Sequence, residues 1–163
     1  MAVDPTYQPK IYFTDGGDRL KVASGGTIEI ESGGAITGAS SIISQALNIA
    51  SFTDNANTTG YIDITTQIPA NSVVLGWKAV VATGFTGDTT ATVQVGISGT
   101  LDKYSVVTTN SVLAAATVGA TVKAGNSYEA AAVTARVTVT GTADFTSISA
   151  GSMVVTIYYL ALA

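Results

Sequence analysis

Most of the chain alternates between apolar and polar positions. Runs with an apolar residue at every second place recur from residue 61 onward, each closed by Gly, Asn or Asp, which is the pattern of half-buried strands. In residues 61–65 the apolar set is Ile62 and Ile64. In 72–83 it is Val73, Leu75, Trp77, Ala79 and Val81, with Lys78 opposite. In 91–97 it is Ala91, Val93, Val95 and Ile97, and in 133–140 it is Val133, Ala135, Val137 and Val139 against Thr134, Arg136, Thr138 and Thr140. Residues 153–162 are apolar on both faces, as a strand is that is covered on both sides or lies against a neighbouring subunit, so removing the last ten residues is expected to be severe. Residues 105–132 mix alanine with valine and threonine and read as a strand plus long loops. Short strands with turns at this spacing predict an antiparallel all-β sandwich or barrel over residues 52–163. Its core is expected to hold Trp77, Val93, Val95, Val137, Val139 and Ile157.

The first 39 residues follow a different rule. Gly16-Gly17, Gly25-Gly26 and Gly33-Gly34 recur nine and then eight residues apart, and Ser24-Gly25-Gly26 matches Ser32-Gly33-Gly34. Glycine pairs provide turns with positive φ at low steric cost. Between them, residues 19–22 and 27–31 alternate as short strands with Leu20, Val22, Ile28 and Ile30 on the apolar side. A hairpin this short is marginal alone. Two readings follow: a plain meander at the edge of the main domain, or a rung-like β element completed by other copies. Tyr7, Ile11, Tyr12, Phe13, Leu20, Val22, Ile28, Ile30 and Ile36 are its candidate contact residues. Between this arm and the β body lies a linker, residues 40–51. There Ile42, Ile43, Ala46, Leu47 and Ala50 fall at helical spacing behind Ser40 or Ser41 as N-cap, with a strand reading also open.

Composition narrows the function. Charged residues are only 11% of the 163 and apolar residues 47%, so the surface is neutral and hydroxyl-rich compared with the ~25% charge of an average protein. Seven basic residues and a net charge of −4 leave no patch to neutralise phosphates, which argues against nucleic acid. No apolar run approaches the ~20 residues of a membrane helix, and Asp4 and Pro5 stand where a secretion signal needs basic and apolar residues. Synthesis in a cytoplasm is the expectation. Histidine and cysteine are absent, which removes the commonest general base, thiol nucleophiles and most zinc sites. Glu29 and Glu31 share a strand face at a spacing that a paired-carboxylate glycosidase could use, but a solvated face explains them better. Residues 54–60, DNANTTG, gather loop oxygens without the acidic alternation of a calcium loop and read as a turn. Trp77 with Tyr158 and Tyr159 could form a sugar-stacking platform, though Trp77 sits on an inward position. These residues support no enzyme, and no cofactor is expected.

Three stretches carry a family resemblance. GGDRLKVASGGTIEIESGGAI (16–36) resembles the N-terminal segment of virion proteins of tailed bacteriophages and prophages. IPANSVVLGWKAVVATGFTGDTTATVQVGISGTLDKY (68–104) and FTSISAGSMVVTIYYL (145–160) resemble the jelly-roll-type domain of the same group. The recurring elements are Ile68-Pro69-Ala70, the run from Val95 to Tyr104, and Tyr158-Tyr159-Leu160. The resemblance implies a head decoration (cement) or head-fibre protein on the virion head surface. It implies homotrimers bound to the major capsid protein, with no catalytic residue to carry over. A tail or baseplate fibre component that binds a host glycan is the alternative.

Overall fold

The computed structural model describes residues 11–13, 20–22, 41–105, 110–121 and 128–162. The chain divides into two compact units, Met1–Thr37 and Gly38–Ala163. In the first, β1 (Ile11–Phe13) pairs antiparallel with β2 (Leu20–Val22), setting Ile11 opposite Val22 and Phe13 opposite Leu20. The expected strand over 27–31 and the three glycine pairs lie outside the described residues.

The second unit is an all-β antiparallel sandwich. Its strands are β3 (Ser41–Asn48), β4 (Thr53–Asp54), β5 (Thr59–Asp63), β6 (Ser72–Thr86), β7 (Ala91–Gly96) and β8 (Asn110–Ser111). They continue with β9 (Ala116–Thr121), β10 (Tyr128–Glu129), β11 (Arg136–Gly141) and β12 (Ala150–Ala161). One sheet runs β3, β12, β6, and then β9 and β10, which line the same edge of β6. The other runs β4, β5, β11, β7, β8. The chain crosses between sheets at six of the nine connections from β3 to β12, so sequence neighbours such as β5 and β6 lie in different sheets. That is the winding of a jelly roll.

The order follows from where apolar residues can be covered. β12 lies between β3 and β6 and is paired along nearly its whole length on both sides. Its inner row, Met153, Val155 and Ile157, is buried, together with Trp77, Ala79 and Val81 of β6 and Ile43 and Leu47 of β3. The facing sheet contributes Val93, Val95, Val137 and Val139, all fully buried. Phe52, Phe85 and Phe145 close one end of this core, Phe52 meeting Phe85 edge-on at 6.4 Å. Gly60 is required there, because a Cβ at that position would fall 2.1 Å from the Phe145 ring.

Two expectations need correction. Residues 40–51 are not a helical linker: 41–48 form an edge strand of the sandwich, and Ile49–Ser51 is a 3-10 turn capped by Asn48. Ile43 and Leu47 are four apart, a spacing that serves a helix face and also alternate places of a strand. Between them Gln45 faces the same way and accepts the Thr65 amide at 2.8 Å, while Ile42 points out, 59% exposed. The open edge of β12 supplies eight paired residues that an isolated three-turn helix cannot match. In β6 the expected inward Val73 and Leu75 are displaced by one place. Tyr158 pairs Gly76 and Tyr159 pairs Val74, leaving Leu75 as the extra residue of a bulge. A bulge inverts the alternation beyond it, so Val74 is buried and Leu75 is 47% exposed.

Candidate interaction surfaces

Chemistry has little to stand on in the described residues. None of them form a group of three or more Asp or Glu able to hold a metal ion. A groove of about 340 Å³ lined by Asn48, Thr83, Ser149 and Ser152, among others, contains no titratable side chain. Residues 54–60 make a reversal in which Ala56 and Asn57 adopt positive φ, as the turn reading requires. Trp77 faces inward, donating its indole N–H to the Tyr104 carbonyl at 3.1 Å, whereas Tyr158 lies on the other side of the sheet under Lys78. The two do not form a platform.

The buried polar centre of the sandwich is one that the residue pattern left among ordinary turn acids. Glu129 of β10, 6% exposed, accepts the Tyr104 hydroxyl at 2.6 Å and the Lys103 ammonium at 2.8 Å. Lys103 and Tyr104 stand in the loop after β7, and Tyr104 N–H donates to the Val95 carbonyl. Burial, reinforced by the hydrogen bond and the charge of Glu129, pushes the Tyr104 phenol well above its ordinary 10.0. This arrangement pins a loop and a short strand together. It offers no open position to a substrate. Its only sequence signal is an acid flanked by Tyr128 and alanines, and its partners lie 25 and 26 residues away.

The outer faces of the two sheets differ in kind. On β5, β11 and β7 the outward rows are Asp63–Arg136, Tyr61–Thr138–Gln94 and Thr59–Thr140–Thr92. Arg136 grips Asp63 through two hydrogen bonds of 2.7 and 2.8 Å and lies over the Tyr61 ring at 3.8 Å. The Asp63 carboxylate raises the Arg136 pKa further. This face is polar, with Thr138 at its centre buried beneath its neighbours.

On β3, β12, β6 and β9 the outward rows are Ala46–Val154–Val80–Thr117, Ser44–Thr156–Lys78–Gly119 and Ile42–Tyr158–Gly76. A further row joins Leu160, Val73 and Tyr128. Lys78 is the single charged residue in these rows, and Ile42, Leu75, Val80, Tyr128, Val154 and Leu160 are all exposed. The polar row Ser44–Thr156–Lys78 crosses this face between two rows of exposed apolar side chains, which makes it a candidate interaction surface.

The sequence-predicted contact residues fall differently. Ile11, Tyr12, Phe13, Leu20 and Val22 belong to the β1–β2 ladder, and Tyr7, Ile28, Ile30 and Ile36, with Glu29 and Glu31, lie outside the described residues. The outer sheet face was not among these residues, although the reading of 153–162 as a strand that could lie against a neighbouring subunit pointed to part of it. Its signal was present in the two-sided greasiness of 153–162, which fits burial on one side and an uncovered face on the other.

No family model matches the chain, and no curated protein does. Among solved structures it is similar to a chain of the cyanophage Pam1 capsid asymmetric unit, at 16% identity and a TM-score of 0.48 over 78% of this chain and 90% of that one. It is also similar to a chain of the capsid of Ralstonia phage GP4, at 18% identity and a TM-score of 0.43 over 79% and 90%.

Proposed function

We propose that this chain is a structural protein of a tailed-phage particle. Its role is that of a head decoration (cement) protein, which assembles as a homotrimer and binds the major capsid protein from outside. The observation that carries the reading is the outer face of the β3–β12–β6–β9 sheet. It carries exposed apolar side chains on both sides of a Ser44–Thr156–Lys78 row and a single charge, on a jelly roll whose described residues bring no reactive groups together. Such a molecule is built to hold rather than to react. The motif resemblance at residues 16–36, 68–104 and 145–160 supports the same reading, as does the low charge of the whole chain.

The physical role is linkage. A protein that binds only the assembled shell stabilises it by RT ln(1 + [L]/Kd), about 2.7 kcal/mol per site at a hundredfold excess over Kd. Arms that span neighbouring capsid subunits multiply that effect through local concentration. In this arrangement residues 1–39 form the arm and the sandwich stands outward.

Deleting residues 1–20 is expected to abolish binding to empty capsids, measured by co-sedimentation, while the far-ultraviolet dichroism of the β body is kept. Unchanged binding rules out this arrangement. Particle stoichiometry discriminates location, since hundreds of copies fit the head and a handful fit a tail fibre.

A further inference from the structure

We propose that the outer edge of β3 pairs with the same edge of a second copy of this chain, antiparallel and centred on Gln45, joining two sandwiches through one continuous sheet. The inference goes beyond the proposed function and stands without it.

This edge is open and unguarded. β3 ends its sheet, and among the described residues no strand pairs with its far side. Every second residue of such a strand directs its N–H and C=O away from its one neighbour, and these groups are a template for another strand. Proteins blunt their edges with short strands, charges, prolines or bulges. The facing sheet is blunted in this way, since β4 and β8 at its two ends have two residues each. β3 has eight residues without a charge or a proline, and its ladder with β12 runs unbroken from Ser41 to Asn48.

The residues of the edge select a copy of itself. Opposed residues of an antiparallel pair lie on the same face, so a second β3 aligns odd with odd positions and even with even. The register that sets Gln45 against Gln45 places Ile43 opposite Leu47 twice on the core side, where both are buried. On the outer side it places Ser44 opposite Ala46 and Ile42 opposite Asn48, so no charge meets another. Shifting it by two residues sets Gln45 against Ile43 or Leu47 instead. Gln45 supplies the central contact. Its Oε1 accepts the Thr65 amide at 2.8 Å, and its Nε2 has no partner among the described residues, leaving a donor for the facing amide. A two-fold pairing also closes on itself, whereas an edge that takes a different strand of the next copy extends into a filament unless its rotation closes a ring. Two-fold symmetry distinguishes the contact from the three-fold one of the proposed homotrimer: it joins copies of two trimers, or two free copies.

The experiment uses the full chain, whose lack of cysteine makes a single introduced thiol diagnostic. Opposed Cα atoms lie ~4.5–5.5 Å apart, within disulfide reach. Gln45→Cys under mild oxidation is therefore expected to give a disulfide-linked pair, and Thr117→Cys, exposed on β9 at the other side of the same sheet, is not. Ser44→Lys with Ala46→Lys, both at exposed outward positions, sets lysines opposite lysines. It is expected to weaken pairing about tenfold by sedimentation, with the dichroism spectrum of the β body unchanged. Mixing it with the Ser44→Glu, Ala46→Glu variant is expected to restore pairing between the two kinds of chain.

A folded lysine variant that pairs as well as the parent chain overturns the proposal, as does a mixture that stays unpaired or a Gln45→Cys chain that does not link. A full chain that sediments only as monomer or trimer overturns it too, and leaves the proposed trimer and its capsid assay untouched. Pairing that persists in a chain unable to bind capsids upholds the edge contact and counts against the proposed function alone.

Discussion

Asp88 shows how much one side chain can organise. It follows β6 in the turn to β7, where its carboxylate accepts the amides of Thr89, Thr142 and Ala143. It thereby ties that turn to the loop before β12. The Ala143 amide is the leading cause of a pKa held below 3.8, partly offset by desolvation and aided by Thr89 and Thr142. Asp144, which caps the 3-10 turn Phe145–Ser147, is lowered as well, through the hydroxyl and amide of Thr146. Groups with depressed folded pKa values add stability that is complete above their unfolded pKa and lost as pH falls through the folded one. Asp88→Asn is expected to lower the melting temperature at neutral pH and to flatten its decline between about pH 5 and pH 2, read by thermal dichroism. A decline as steep as that of the parent chain contradicts this assignment. Glu129 acts from inside. Glu129→Ala strands the Lys103 ammonium and the buried Tyr104 hydroxyl, and breaking a buried pair in this way costs about 3–5 kcal/mol. Lys103 keeps some contact with water, its side chain being 19% exposed, which places the expected loss near the lower end, measurable by denaturant unfolding. Glu129→Gln retains an acceptor for Tyr104 and is expected to cost less.

Among the elements, β3 carries the sharpest test of strand against helix. A helix over 40–51 puts Ile42 and Ile43 on one face, so both would be structural. The strand puts them on opposite sides, with Ile43 in the core and Ile42 in solvent. Ile43→Ala is expected to cost about 2–4 kcal/mol of fold stability. Ile42→Ala should change the stability of the sandwich by less than about 0.5 kcal/mol. Equal losses at the two positions contradict the strand. Elements of this kind also show what a residue pattern can carry. Strands β5, β7 and β11 were legible because the alternation of apolar and polar residues along them is unbroken. β6 was legible in extent and wrong in phase before Trp77, since a bulge is fixed by the partner strand β12 and leaves no local mark beyond a glycine. β3 was ambiguous because four-residue spacing satisfies both periods. The Glu129 network was invisible, its members being local nonentities that distant strands bring together. The pairing order was not legible from alternation at all. Strands such as β3 and β12 meet across the length of the sandwich, and no nearby residue specifies such a partner; the jelly-roll expectation came from motif resemblance.

For the whole molecule the decisive quantity is how little charge it carries. Each copy bears a formal −4, so the proposed assembly of three would gather like charge, while the rows of the outer β3–β12–β6–β9 face contribute one lysine per copy. Two kinds of interface respond to salt in opposite ways. One held by ion pairs weakens as the screening length shrinks from ~30 Å at 0.01 M to ~3 Å at 1 M. One held by apolar burial does not, and here screening also relieves the repulsion among net-negative copies. Self-association of the full chain is therefore expected to stay level or to tighten up to severalfold between about 0.05 and 0.5 M sodium chloride, followed by sedimentation. Sodium sulfate, which strengthens effective apolar burial, should tighten it further. Arg136 and Asp63 make the comparison informative, because the sheet face that carries their ion pair is not a proposed contact. If added salt drives the copies apart, the polar face or the arm acids Glu29 and Glu31 hold them together, and neither the apolar sheet nor the uncharged β3 edge joins them.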